Sequence, residues 1–320
     1  MNKYSSPIDA ALVDELFGFW DRIFSEEHDI PPDAFLGMTD KENGCDVYVE
    51  RRKDKIVATC NIIYPRENPQ LGGLGEVATD PTYRQQGLAT NLCRQALADF
   101  RDRGGQAIFL GTNNWSAGRI YHRLGWRKLA GSNVMANISS GDSPETFLVD
   151  YFRPLGSVTV QTGGPFLRVP IIPLLNMPHD WQILDANIGM LSTRYETQQS
   201  CNGLYRRYFS GIPDGGCGAC FAAVTDDGRI VGLSTARLGE SGECQVDGFT
   251  HSQFTDHYGD LMDAAIQWGK SSNATGIYSK LSIEDEEKQR LFESLSFRKL
   301  PMKDVVGLGD RKVQLVQFRK

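Results

Sequence analysis

Residues 75–90 read Gly75-Glu76-Val77-Ala78-Thr79-Asp80-Pro81-Thr82-Tyr83-Arg84-Gln85-Gln86-Gly87-Leu88-Ala89-Thr90. The stretch predicts a strand, a turn and a helix in immediate succession. Leu74 to Thr79 forms the strand, which stops at Asp80-Pro81 because proline cannot donate a ladder hydrogen bond and restricts the residue before it. Gly87 opens a helix whose stripe is Leu88, Leu92, Ala96, Leu97 and Phe100. A helix start exposes unpaired N–H groups and the positive end of the macrodipole. Gly87 and Ala89 leave room for a bulky anion to reach that backbone. The junction reads as an anion cradle suited to a pyrophosphate, or as a plain strand–turn–helix corner. It is not a Walker loop, because the Gly-Lys-Ser/Thr ending is missing.

Upstream, Val47-Tyr48-Val49, the turn Arg51–Lys55 and Ile56–Ile63 predict a hairpin. Ahead of it, Ala10, Val13, Phe17, Trp20, Ile23 and Phe24 fall at helical spacing, followed by a polar loop from Glu26 to Pro32. Downstream, Ala107–Leu110 is a short buried strand. Asn114-Trp115-Ser116-Ala117-Gly118-Arg119-Ile120-Tyr121 then enters a helix that ends at Gly125, where a left-handed cap is expected. A tyrosine hydroxyl at position 121 can give a proton to a leaving group; packing is the alternative use. Asn114 offers a donor and an acceptor to an amide-containing ligand.

The order returns later. Phe221–Val224, a turn and Ile230–Leu233 repeat the hairpin; Leu261–Trp268 repeats a helix, Ile277–Leu281 a strand and Glu284–Leu295 the last helix. Seventy positions separate Ile56 from Trp126, and 67 separate Ile230 from Phe297. Two copies of one α/β layered fold are expected. The Gly- and Pro-rich stretch Gly156–Pro178 is the expected join, which gives domains 1–155 and 156–320.

The first copy resembles the GNAT superfamily of acyl-CoA-dependent N-acyltransferases. Arg84-Gln85-Gln86-Gly87-Leu88-Ala89 fits that family's pyrophosphate signature, Gln/Arg-x-x-Gly-x-Gly/Ala. Asn114, Ala117, Tyr121, Gly125 and Trp126 fit its second motif, at the family's order and separation. The resemblance covers roughly residues 8–137. It implies two tandem domains in which helices flank a mixed, mostly antiparallel sheet, and acetyl-CoA held in a splay between the fourth and fifth strands. On that likeness Val77, Ala78 and Thr79 offer backbone groups to the pantetheine and acetyl carbonyl. Residues Arg84, Gln85, Gln86, Gly87, Leu88, Ala89 and Thr90 hold the pyrophosphate, Asn114 touches the pantetheine, and Tyr121 protonates the departing thiolate. The implied reaction is direct attack of a primary amine on the thioester, with no metal.

An ammonium must lose a proton before it attacks, so a base or water chain is needed. Glu76 is the first candidate; period-two alternation groups it with Leu74 and Ala78, opposite Val77 and Thr79, unless a bulge intervenes. His122 and His28 are weaker candidates. The second copy reads as degenerate. Thr250–Gly259 has no Arg-x-x-Gly-x-Gly/Ala, Asp256 and bulky Phe254, His257 and Tyr258 stand at the cradle, and Phe292 replaces Tyr121. One CoA site per chain is expected, with the second copy shaping the acceptor cleft.

Composition narrows the partners. The 320 residues carry 34 Lys+Arg against 40 Asp+Glu, a net charge of −6, which argues against nucleic acid as the main partner. Apolar runs fall short of the roughly 20 residues of a membrane span, and the acidic amphipathic start does not read as a signal peptide, which would need an uninterrupted apolar core. The chain reads as cytoplasmic. Seven scattered cysteines read as reduced thiols; Cys217-Gly218-Ala219-Cys220 lacks the second ligand pair of a zinc site. The leading expectation is an acetyl-CoA-dependent N-acetyltransferase acting on a small amine, with a homodimer left open. The alternatives are a CoA-binding sensor or scaffold without catalysis, and an acetyltransferase of protein or peptide amines.

Overall fold

In this computed structural model, residues 1–24, 30–198, 200–212 and 217–320 are described. Backbone contacts divide the chain into two units that exchange short segments. The first holds Met1–Phe147, Pro165–Ile172 and Gln199–Tyr205; the second holds Leu148–Gly164, Pro173–Gln198 and Arg206–Lys320. A single cut between 155 and 156 does not describe that exchange.

The first unit runs β1 (Asn2–Ser5), α1 (Ala10–Phe24), α2 (Pro32–Phe35), β2 (Asn43–Arg52), β3 (Lys55–Pro65), β4 (Leu71–Thr79), α3 (Leu88–Asp102), β5 (Ala107–Gly111), α4 (Trp115–Arg123), β6 (Arg127–Lys128) and β7 (Val134–Ile138). Among the described residues its strands form one seven-stranded sheet in the order β1-β2-β3-β4-β5-β7-β6. Every neighbouring pair is antiparallel except β4 and β5, which α3 joins as a crossover. Alternation along β3 sends Ala58, Cys60 and Ile62 into a core with Leu92, Cys93, Ala96 and Phe100 of α3. On the opposite face, Trp20 of α1 donates its indole N–H to Thr59 Oγ1 at 2.9 Å. The buried stripe of α1 is Val13, Leu16, Phe19 and Trp20. Of the stripe expected from the sequence, Val13 and Trp20 are buried, Phe17, Ile23 and Phe24 are half-buried, with Phe17 edge-on to Trp20, and Ala10 is exposed; Leu16 and Phe19 complete the buried face.

The second unit repeats the plan. After α5 (Pro144–Tyr151) come β8 (Val158–Thr162), α6 (Ile171–Asn176), β9 (Ile183–Asp185), β10 (Met190–Leu191), α7 (Gly203–Gly211), β11 (Gly218–Thr225), β12 (Ile230–Leu238), β13 (Glu243–Thr250), α8 (Tyr258–Ser271), β14 (Gly276–Ser282), α9 (Glu286–Ser294), β15 (Arg298–Leu308) and β16 (Arg311–Arg319). The described strands give the order β15-β16-β14-β13-β12-β11-β8, with β9 and β10 as a separate pair. Only β13 and β14 run parallel in the larger sheet. The two sheets have one topology, so the chain carries two mixed, mostly antiparallel α/β domains in tandem. The expected join is corrected in part: β8, inside Gly156–Pro178, is the edge strand of the second sheet. Val158-Thr159-Val160 has the β-branched composition of a strand, which its Gly- and Pro-rich flanks concealed.

In both sheets the parallel pair separates after three residues. Pairing of β4 with β5 ends at Gly73 and Phe109, and that of β13 with β14 at Gln245 and Tyr278. The second opening is filled by its own chain. Ala186 N–H donates to Asp247 of β13 at 2.7 Å, while the Gln182 and Ile183 N–H groups donate to Asp285, just before α9. Lys288 Nζ bonds the Ile183 and Leu184 carbonyls and pairs with Asp247 at 2.6 Å, both side chains fully buried. Burial and the neighbouring Asp247 push the Asp185 carboxyl up to about 7. Phe254 and Tyr258, read from sequence as obstacles at a cradle, are core residues instead. Among the described residues no helix is long and apolar enough to cross a membrane. Lys288→Met should strand buried carboxyls without a cation and cost about 3–5 kcal/mol. Denaturant unfolding followed by Trp fluorescence checks this; an unchanged midpoint would contradict it.

Candidate functional site

The opening between β4 and β5 begins with a broken register. Asn61 pairs with Gly75 and Thr59 with Ala78, so Glu76 and Val77 together oppose Cys60. This is a β-bulge, and Glu76 takes a φ of +45°. Val77 packs on the same core as Leu74, three residues away, whereas Ala78 pairs with Thr59, whose hydroxyl bonds Trp20. The grouping of Glu76 with Leu74 and Ala78 by simple alternation is therefore corrected: the bulge breaks the period. Thr59 Oγ1 donates to the Glu76 carbonyl at 2.8 Å and holds the bulge.

Beyond β4, Asp80 accepts from the N–H and the hydroxyl of Thr82 at 2.9 and 2.6 Å. These bonds hold its carboxyl below the usual range. Arg84 Nε donates to the Thr79 carbonyl at 3.2 Å, tying the turn to the strand end. Gln85 and Gly87 have φ of +65° and +76°, and Gly87 is the N-cap of α3 with no side-chain cap bond. The first N–H groups of α3 stay available to a ligand. A Cβ on Gly87 would meet nothing within 4 Å. Its φ, as well as the room it leaves, calls for glycine here.

Across the opening, Asn114 caps α4. Its Oδ1 accepts from the Ser116 and Ala117 N–H groups at 2.9 and 3.2 Å, which leaves the Nδ2 end for other partners. Tyr121 is 6% exposed and packs against Trp126, ring centroids 6.1 Å apart. Burial pushes its pKa well above the usual phenol range, with Cys93 and Cys60 adding to the effect. The hydroxyl therefore keeps its proton at ordinary pH.

A single cleft of about 820 Å³ is lined by Val77, Ala78, Thr79, Arg84, Gln85, Gly87, Leu88, Ala89, Thr90, Asn114 and Tyr121. Glu76 and Gln86 are not among its lining residues; Glu76 is half-buried on the bulge, and Gln86 is exposed. His122 lines a neighbouring groove of about 580 Å³ instead. His28 and the loop from Glu26 to Asp29 lie outside the described residues. The sequence reading missed Arg119 and Arg123, which also line the cleft. Their four-residue spacing on a helix that already carries the second motif was the available signal. Three arginines and no carboxylate among the described lining residues make the cleft suited to a polyphosphate.

A strand opening that leads to an uncapped helix start, with a protonated tyrosine beside it, fits acyl transfer. The model of the acetyltransferase (GNAT) family matches residues 11–126. The matched residues lie within the first unit and form a GNAT acetyltransferase domain. No curated protein matches the sequence. Among solved structures, the chain resembles a GCN5-related N-acetyltransferase from Kribbella flavida at 16% identity, over 99% of this chain and 70% of that one, with a TM-score of 0.37. It also resembles the spermidine/spermine N-acetyltransferase SpeG from Vibrio cholerae at 14% identity, over 51% and 92%, with a TM-score of 0.38. An acetyltransferase of the GNAT family from Streptococcus pneumoniae is 13% identical over 51% and 99%, with a TM-score of 0.37. None of these likenesses is close enough to bear on the acceptor.

Gly87→Glu puts bulk and negative charge at the uncapped helix start. Calorimetry with CoA should show binding reduced below detection, while circular dichroism stays unchanged. Wild-type affinity in the variant would contradict the assignment of the cradle.

Proposed function

We propose that the first unit transfers an acetyl group from acetyl-CoA to a primary amine of a small molecule. The observation that supports this best is the uncapped start of α3, which lines the same cleft as the Tyr121 ring. Acetyl-CoA, when bound, supplies an activated thioester. In this reading Arg84 and the N–H groups of residues 87–90 hold the pyrophosphate, with Gln85, Gln86 and the nearby Arg119 and Arg123 around it. The backbone of Val77, Ala78 and Thr79, free of β5 beyond the opening, bonds the pantetheine and the acetyl carbonyl. Asn114 offers its Nδ2 to the pantetheine amide.

The bookkeeping of the reaction is one bond made and one broken. The amine nitrogen bonds the acetyl carbon and the carbon–sulfur bond breaks. Glu76, next along the chain to Val77 on the bulge, takes the proton the amine must lose. Tyr121 gives its proton to the departing sulfur, and the second proton, shed by the nitrogen once it is acylated, restores the Tyr121 hydroxyl. Its raised pKa suits a donor that must arrive protonated. Loss of a general acid lowers rate by about 10²–10⁴-fold. Tyr121→Phe conserves volume in the core, so it should depress turnover by that factor and leave acetyl-CoA affinity near wild type. Thiol release with a panel of amines measures both parameters, and an unchanged turnover number would exclude Tyr121 as the donor.

We further propose that the second unit binds no CoA. Its β13 is regular where β4 is bulged, residues 182–187 are bonded across its strand opening, and Phe292 carries no hydroxyl. A titration at saturating acetyl-CoA should give one equivalent per chain; two equivalents would contradict the reading.

A further inference from the structure

Arg168 belongs to a segment of the first unit and is only 1% exposed. Its guanidinium lies over the Tyr205 ring, 4.4 Å from the centroid. Among the described residues its ion-pair partner is Asp33, whose Oδ1 is 3.9 Å from Nη2, too far for a hydrogen bond, and is itself buried without a hydrogen-bond partner. Nε and Nη1 are buried and have no hydrogen-bond partner among the described residues. Buried guanidinium nitrogens left without hydrogen bonds are strongly disfavoured, so such a group is normally completed by something.

The complementary atoms lie beside β3 and β4. Asn61 and Asn202 are 0% and 2% exposed. Their NH₂ groups are committed, Asn61 Nδ2 to Cys45 Sγ at 3.8 Å and Asn202 Nδ2 to the Leu74 carbonyl at 3.4 Å. That commitment fixes which end of each amide remains. Both Oδ1 atoms are buried acceptors with no partner among the described residues. The two amides meet at Gly75: a Cβ there would stand 2.9 Å from Asn61 Oδ1 and 2.9 Å from Asn202 Nδ2. Gly75 immediately precedes the bulge at Glu76. Arg168 is joined to this group through Tyr205, whose ring lies under the guanidinium and which stands three residues after Asn202, in the first turn of α7.

Two unsatisfied donors on a cation and two unsatisfied amide acceptors describe a ligand with both a carboxylate and N–H groups. We propose that this cluster is the acceptor subsite and that the acceptor is an amine that also carries a carboxylate, of the amino-acid class. Arg168 holds the carboxylate. The oxygens of Asn61 and Asn202 receive the amine N–H bonds and hold the nitrogen beside Gly75, one residue from Glu76 and two from the cleft-lining Val77. The proposal rests on the acyl-transfer reading above and names its substrate class.

The test compares the twenty standard amino acids, β-alanine and γ-aminobutyrate, each against its own carboxamide. Binding is read by thermal shift and transfer by thiol release from acetyl-CoA, on wild type and on Arg168→Met. At least one acid should stabilise the wild type and show a KM at least tenfold below that of its amide. Arg168→Met should raise the KM for that acid ten- to a hundredfold. It should leave the KM for the amide and the affinity for acetyl-CoA unchanged. The proposal is overturned if no acid is preferred to its amide, or if a folded Arg168→Met that binds acetyl-CoA keeps the preference. Should Arg168→Met fail to fold, the wild-type comparison decides alone. An acid that binds in preference to its amide without any thiol release would strike the acyl-transfer reading and leave the subsite standing.

Discussion

The parting of β4 from β5 after Gly73 is the constraint on which the first unit depends. Two parallel strands that stay paired bury their backbone groups in each other. Once they diverge, the N–H and C=O groups of Val77 to Thr79 need other partners. The bulge at Glu76 and Val77 sets the direction of divergence, and the Thr59 hydroxyl fixes it through the Glu76 carbonyl. Everything in the cleft follows from that opening. The turn at Asp80-Pro81 brings α3 back with its N-terminus toward the gap, and Asn114 starts α4 on the other side with Tyr121 two turns in.

The second unit has the same topology with its gap differently lined. There β13 keeps a regular register with β12, and the side chains of Asp247 and Asp285 accept from the N–H groups of residues 182, 183 and 186. Asp247, Asp285 and Lys288 serve that internal strand. On the proposed reading such a site has no slot for an extended ligand chain, while the fold keeps its core. The contrast separates what the sheet requires, a partner for the diverging backbone, from what chemistry requires, a partner that can leave.

Much of this was legible in the sequence, because the decisive signals are local. Asp80-Pro81, Gly87 and the stripe from Leu88 to Phe100 mark a strand end and a helix start without tertiary information. The repeat of element order was equally plain. The bulge was not, because Glu76 and Val77 carry no turn residue and only the register with β3 reveals the extra position. The α1 stripe was legible only in part, because a helix with Phe17, Phe19, Trp20 and Phe24 is apolar over a wide arc, and only the packed sheet shows that Leu16 and Phe19 join Val13 and Trp20 in the buried face. Strand β8 was hidden by its Gly- and Pro-rich flanks. The buried polar group around Arg168 was beyond sequence reasoning, since it joins residues 61, 168 and 202.

Hydrogen–deuterium exchange of the whole chain, with and without CoA, tests the central claim that the first opening is a ligand slot and the second is filled. The account predicts slower exchange at residues 77–79, 87–91 and 114–121 when CoA is present, and no change at residues 246–260 or 182–187. Protection confined to the second unit, or absent from the start of α3, would contradict it.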